Sequence, residues 1–326
     1  MTIVVASIAF VVALLCAGVM GYAIQRGATC TVAAIDEIVT ERSVRRLLSL
    51  GEAALWVGGG LVVAASLRLM PQLPPGYAAT TWTVVGGALL GLGAFVNGAC
   101  VFGAIARLGS GEWAYVFTPI GFYVGCVSVK PLFGAPEPLA LSDVSPVLRA
   151  PAWIAVLFVA FALWRVARPW LRRDRNGVTA WHAALAAHVW TPHAATTVIG
   201  LSFVVMLLLV GGWAYTDVLA ELAHGMSTSI GARGFLFAAL LLGAMLGGWT
   251  AGLLRHTRLS PSRVAGCVVG GMLMGWGSLL LPGGNDSLIL VGMPLAWPYA
   301  WLAFATMCVT IAGAQLARRR WSRPSR

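Results

Sequence analysis

Charge is scarce in this chain: 33 of its 326 residues are Asp, Glu, Lys or Arg, and only 11 of those are acidic. A soluble fold carries a larger charged fraction on its surface, and a disordered chain depends on polar residues to stay expanded, so the composition excludes both. Cysteine is sparse too. The six, at 16, 30, 100, 126, 267 and 308, include no C-x-x-C pair, which removes a zinc ribbon, a thioredoxin-type centre and a secreted disulfide scaffold. The sequence has no P-loop, no dinucleotide fingerprint, no Ser-His-Asp set and no metal-ligand spacing. It therefore predicts no cofactor, no metal and no enzyme, and nothing in it drives transport by ATP hydrolysis.

Apolar residues make up 59% of the chain and mean hydropathy is +0.84. At about 20 residues per bilayer crossing, that material fills roughly nine spans. Hydropathy predicts them at 2–24, 47–69, 82–105, 113–133, 151–168, 196–216, 234–254, 262–281 and 297–317. The first run has no basic leader and no small-residue cleavage site, so it reads as a retained span and not a signal peptide. With the N-terminus outside, 18 of the 22 basic residues fall on the inner side, leaving Arg68, Lys130, Arg149 and Arg233 outside. The positive-inside rule thus predicts a multi-pass protein with a cytoplasmic C-terminus, and the formal charge of +11 reports topology and not nucleic-acid binding.

Four connections, 25–46, 97–108, 217–233 and 282–295, are too apolar for plain loops. They are expected to be re-entrant or half-helical, because irregular backbone at membrane depth needs protein or a wet cavity to satisfy it. Sliding 86–115 by 184 positions onto 270–299 matches eight of thirty residues, among them a G-G-x-L-x-G-x-G frame followed by W-x-Y. This is a duplication. Its copies start in spans three and eight, an odd difference, so they run in opposite directions. The predicted fold is an all-α integral membrane protein of about nine transmembrane helices plus re-entrant half-helices in an inverted repeat, a design that places a transport site where the halves meet. The expected divisions are a first repeat at 1–133, a connecting span and basic segment at 134–195, a second repeat at 196–317 and a basic tail at 318–326.

The runs Gly21-Tyr22-Ala23-Ile24-Gln25-Arg26-Gly27-Ala28-Thr29-Cys30, Gly98-Ala99-Cys100-Val101-Phe102-Gly103 and Gly270-Gly271-Met272-Leu273-Met274-Gly275-Trp276-Gly277 resemble the YeeE/YedE family of sulfur-compound transporters. The resemblance implies a bacterial inner-membrane permease, pinched at its middle, that takes up thiosulfate or a related sulfur species along a path bearing cysteines, and a cytoplasmic sulfur-carrier protein as a partner. The family commonly has a further cysteine in the second repeat. Here that place is Gly284, which the slide aligns with Cys100, so a three-cysteine relay does not carry over.

A buried thiol stays protonated and offers a soft terminal sulfur a weak donor without a like charge. Cys100, just after a predicted helix break, and Cys30, in the first re-entrant segment, are accordingly the expected substrate contacts. N–H groups at half-helix N-termini beside Gly98, Gly283 and Gly284 would add partial positive charge. Asn285 fits a helix cap or a substrate contact, and Asp286 is a carboxylate too costly to place near the pinch unless it is used or paired. Arg26 suits either attraction of the anion or a cytoplasmic boundary. Cys16, Cys126, Cys267 and Cys308 read as packing residues. Asp36 and Glu37 are expected to pair with Arg42 and Arg45. Asp217, Glu221 and His224 share one helical face, read as solvated, and 165–196, with His182, His188 and His193, reads as an interfacial segment. An intramembrane thiol redox or sulfur-relay protein acting with a partner is the alternative function.

Overall fold

The computed structural model describes residues 7–69, 73–134, 138–141, 145–171, 187, 189–223, 230–255 and 257–321. Among them the chain is helical, with one isolated bridge pairing Tyr77 with Ala140. The order is α1 (Ile8–Arg26), α2 (Thr31–Glu41), α3 (Arg45–Ser66), α4 (Thr81–Asn97), α5 (Val101–Gly109), α6 (Phe117–Phe133), α7 (Ala152–Leu171), α8 (Pro192–Val210), α9 (Tyr215–Ala223), α10 (Ile230–Thr250), α11 (Pro261–Leu280), α12 (Asn285–Ser287, continued by a π turn at Leu288–Gly292) and α13 (Pro298–Trp321). Of the four connections expected to be half-helical, 25–46 and 282–295 contain α2 and α12, while α5 extends one residue beyond 97–108 and α9 starts two residues before 217–233. Eight helical segments are long and apolar enough to cross a membrane. The ninth expected span is α7, whose apolar part, Ala152–Arg165, is shorter.

The duplication reaches far beyond the matched residues. A shift of 184 carries the first residue of α1 onto that of α8, of α2 onto that of α9 and of α5 onto that of α12, and the last residue of α3 onto that of α10. Even the caps correspond. Ser7 caps α1 by accepting from the Phe10 N–H at 3.2 Å, and Thr191 caps α8 by accepting from the Ala194 N–H at 3.3 Å. Helix packing obeys the same exchange: α1 packs on α10 as α8 packs on α3, and α6 on α11 as α13 on α4, while α1 with α8 and α4 with α11 are self-matched pairs.

The glycine frame explains the α4–α11 contact. A Cβ at Gly93 would lie 2.7 Å from the Gly270 carbonyl oxygen, and one at Gly86 would lie 2.9 Å from that of Gly277. Early glycine meets late glycine, so the helices run antiparallel with their backbones touching. One residue along, Gly87 and Gly271 face α13 and α6, with would-be Cβ atoms 2.7 Å from Ala303 O and 2.3 Å from Thr118 O. Each helix thus uses two glycine faces to seat two neighbours.

Four breaks interrupt the helices, at 27–30, 98–100, 211–214 and 281–284. Gly98 ends α4 with a positive φ of 73°, which a side chain would strain. Asn97, fully buried, holds this break: its Nδ2 donates to Ala99 O at 2.7 Å and its Oδ1 accepts from the Thr118 hydroxyl at 2.9 Å.

The polar pairings differ in detail from those expected. Glu37 pairs with Arg46 at 3.0 Å and Asp36 with Arg319 at 3.3 Å. Glu52 on α3 gathers Arg165 of α7 at 3.5 Å together with His193 and Thr197 of α8, so His193 serves to tie α8 to α3. His182, His188 and His224 lie outside the described residues, as does most of the expected interfacial segment.

Candidate functional site

Two cavities enter the protein from opposite ends. One, of about 480 Å³, is lined by Arg26 at the end of α1, Arg46 at the start of α3 and Arg318 near the end of α13. The other, of about 1210 Å³, is lined by Val210 at the end of α8, Leu280 at the end of α11 and Tyr299 at the start of α13. Because α13 runs from the second cavity to the first and α11 from Arg263 at the first to Leu280 at the second, the cavities occupy opposite ends of the bundle. The chain also passes from Ala140 beside the second cavity to Val189 beside the first, so α7 crosses despite its short apolar part.

The cavities are themselves a repeat. Gln25, Ala28, Ala33, Phe95, Gly98 and Gly103 line the first, and their partners at +184, Leu209, Gly212, Asp217, Leu279, Pro282 and Ser287, line the second. The two copies therefore point in opposite directions, as the parity of the spans requires.

Between the cavities, four short helices begin at Thr31, Val101, Tyr215 and Asn285. Cys30 and Cys100 are the N-cap residues of α2 and α5, and neither closes the usual side-chain cap bond. Cys100 is fully buried and its sulfur accepts the Thr31 N–H at 3.1 Å. Cys30 lines the arginine cavity and is half-buried. Gly103 makes room for it, since a Cβ there would lie 2.4 Å from Cys30 Sγ. The thiols thus sit at the positive ends of two half-helices, in a setting that favours negative charge.

The second repeat places oxygen and amide groups at the corresponding depth. Asn285 Oδ1 accepts the Val101 N–H at 3.2 Å, satisfying the first orphan donor of α5 from the other half of the molecule. The Tyr215 hydroxyl donates to Val101 O at 3.2 Å. Asp286, 2% exposed, accepts from the Thr216 hydroxyl at 2.5 Å and the Thr216 N–H at 3.3 Å. Asp217 accepts from the Ser287 hydroxyl at 2.9 Å and, with Glu221, lines the second cavity, so the face these two residues share opens onto that cavity. Gly284 lies among these groups: a Cβ there would meet Thr216 Oγ1 at 2.5 Å and Asp286 Oδ1 at 2.7 Å. A hydroxyl and a carboxylate fill the space that a second-repeat cysteine would need.

The remaining expected residues fall as follows. Gly98 is the C-cap of α4, and the half-helix N-terminus begins two residues later, at Cys100. Gly283 donates its N–H to Ser278 O at 2.8 Å, so it closes α11 and does not face the path with that group. Arg26 lines the arginine cavity, 4% exposed, donating to the Tyr22 hydroxyl and the Thr250 hydroxyl at 2.9 Å each and to Ala187 O at 3.0 Å. Cys126 and Cys267 are buried in packing contacts, and Cys16 and Cys308 lie at the core margin. Tyr215 and Thr216 were not singled out by the sequence, where they fall at the end of the expected span 196–216; the helix ends at Val210 and Tyr215 starts a new one.

Two buried donors at the constriction have no partner among the described residues: the Thr31 hydroxyl and the Asn285 amide nitrogen. Both residues are 0% exposed. Other buried side-chain atoms among the described residues, the Trp190, Trp213 and Trp297 indole nitrogens included, also lack a partner; what sets these two donors apart is their place on both sides of Cys100 and Val101, where a passing acceptor would complete the set.

A family model described as sulphur transport matches residues 26–313. The thiosulfate transporter TsuA of Spirochaeta thermophila is 24% identical over 318 residues, which cover 87% of this chain and 91% of that protein.

Proposed function

Because the chain belongs to the sulphur transport family, and is therefore a multi-pass membrane transporter of sulfur compounds, we propose that it imports thiosulfate or a closely related small sulfur anion through the constriction where its two repeats meet. The arginine cavity faces the cytoplasm of a bacterial inner membrane, with the N-terminus outside, in keeping with the positive-inside rule. The anion enters the wider cavity, passes Gly283, Gly284, Asn285 and Asp286, meets Cys100 and then Cys30, and leaves past Gly98 and Arg26. A cytoplasmic sulfur-carrier protein collects it there.

The observation that carries this reading is the placement of two cysteine side chains, at half-helix N-termini, between two symmetry-related cavities. Thiols are weak donors, and the Thr31 hydroxyl and Asn285 amide are spare donors beside them. Passage needs attraction strong enough to admit a dianion and weak enough to release it, which weak donors supply better than a fixed cation at the narrowest point. Asp286 engages Thr216 and so positions the second-repeat wall.

The test is uptake of labelled thiosulfate in cells lacking their own uptake systems. Uptake should depend on this chain, fall at least tenfold in Cys100→Ala, and be competed by unlabelled thiosulfate more effectively than by sulfate. Uptake equal to that of empty-vector cells would remove the thiosulfate reading.

A further inference from the structure

The two cavities match in backbone and differ in charge. The smaller is lined by Arg26, Arg46, Arg107, Arg263 and Arg318, with Asp36 as its one acidic lining residue. Shifted by 184 in either direction, those arginine positions read Val210, Ile230, Val291, Ala79 and Gly134, all neutral. The larger cavity carries Lys130 and Arg233 balanced by Asp217 and Glu221, and Arg233 is ion-paired with Glu221. One mouth is strongly positive and the other is close to neutral.

The positive-inside rule accounts for arginines at that end but not for their aim. Arg263 reaches over the first-repeat break: its Nη1 lies 2.9 Å from where a Cβ of Gly98 would be, so the glycine leaves room for the guanidinium. Arg263 and Arg107 both sit over the ring of Tyr115, at 5.9 and 5.6 Å from its centroid. Arg318 lies over Phe95 at 5.2 Å. Arg107 pairs with Glu112 at 3.0 Å and Arg46 with Glu37 at 3.0 Å, whereas Arg263 and Arg318 have no carboxylate partner among the described residues. Guanidinium groups fixed on aromatic faces lose little freedom on binding, and their planar forks suit a bidentate grip on an oxyanion. Like charges held together this way repel one another until an anion is placed between them.

We propose that the arginine cavity is a second anion-binding site, separate from the thiol constriction, which holds a doubly charged tetrahedral oxyanion such as sulfate or thiosulfate through Arg263 and Arg318. It takes its ligand class from the transport reading above, but its recognition differs: the arginines read the oxygens and the charge, which sulfate shares, and not the terminal sulfur. An anion that has passed Cys30 is retained at this mouth before release.

The experiment is calorimetric titration of purified full-length protein with sodium sulfate at low ionic strength. Wild type and Cys100→Ser should bind sulfate alike, because the thiol is outside this site. Arg263→Gln/Arg318→Gln should bind at least tenfold more weakly, and raising the salt concentration should weaken wild-type binding steeply. Both arginines are exposed, so the fold should survive, and Arg318→Gln alone, expected to weaken binding several-fold, serves if the double variant is recovered poorly. Unchanged sulfate affinity in the double variant, or its loss in Cys100→Ser, would overturn the proposal. Arginine-dependent sulfate binding in a protein that moves no thiosulfate would leave this site standing and remove only the transport substrate.

Discussion

Adding one methyl group at Gly103 tests whether Cys30 acts from the place it occupies. The new Cβ would stand 2.4 Å from Cys30 Sγ, 3.0 Å from Cys30 Cβ and 3.1 Å from Ala99 Cβ. To reach the 3.0 Å below which real contacts do not go, the sulfur must retreat by about 0.6 Å, and the nearest relief is rotation of the Cys30 side chain away from Cys100. Overpacking of this kind costs about 1–3 kcal/mol. If that cost falls on the conformation that passes the anion, uptake drops about 5- to 150-fold, at roughly tenfold per 1.4 kcal/mol. Labelled thiosulfate uptake in Gly103→Ala should therefore fall into that range, while membrane insertion and the elution profile in detergent stay close to wild type, since the atom that must move furthest is a terminal one and the Cβ atoms of Cys30 and Ala99 need yield only a few tenths of an ångström. The double variant Gly103→Ala/Cys30→Ala should transport no worse than Cys30→Ala, because the clash disappears with the sulfur. Wild-type uptake in Gly103→Ala, or a double variant far below Cys30→Ala, would refute the assignment of Gly103 as the recess for Cys30.

Three further outcomes are expected. Gly284→Cys should not supply a working third thiol but lower the folded yield, because its Cβ meets Thr216 Oγ1 at 2.5 Å; Gly284→Cys/Thr216→Ala should recover part of that yield, read by size-exclusion chromatography of a fluorescent fusion. Gly243→Ala should be strongly destabilised in a thermal scan, since its Cβ would sit 1.8 Å from the Gly18 carbonyl oxygen, whereas Gly313→Ala, which meets nothing within 4 Å in mid-helix, should be neutral or gain about 0.5–1 kcal/mol. Asn285→Leu leaves the Val101 N–H unpaired and should cost about 1–3 kcal/mol in stability, with Asn285→Asp retaining more of it because a carboxylate oxygen still accepts.

Hydropathy and glycine spacing made much of this architecture legible. Eight of the nine expected spans and the four interrupted connections follow from apolar runs and their gaps, which report directly on what a bilayer tolerates. The extent of the duplication was hidden. Ile8 and Pro192, Thr31 and Tyr215, and Val101 and Asn285 are unlike residues that start equivalent helices; backbone breaks persist where side chains have diverged, and residue identity sees only side chains. Position 98 shows a second limit. The sequence places a glycine at the break but does not say whether it closes the preceding helix or opens the next, and its positive φ puts it on the closing side. Asp217 shows a third, for helical spacing reveals which residues share a face but not whether that face meets water or the hydroxyl of Ser287. Contacts between the halves, such as Asn285 with Val101, have no local signature at all.

A duplicated chain folded back on itself should look the same from either side of the membrane, and at the level of the backbone this one does. The resemblance ends at the waist, where one half contributes sulfur through Cys30 and Cys100 and the other contributes oxygen and nitrogen through Tyr215, Thr216 and Asn285. An ion that is itself lopsided, sulfur at one tip and oxygens at the other, would find each tip matched without having to turn end over end.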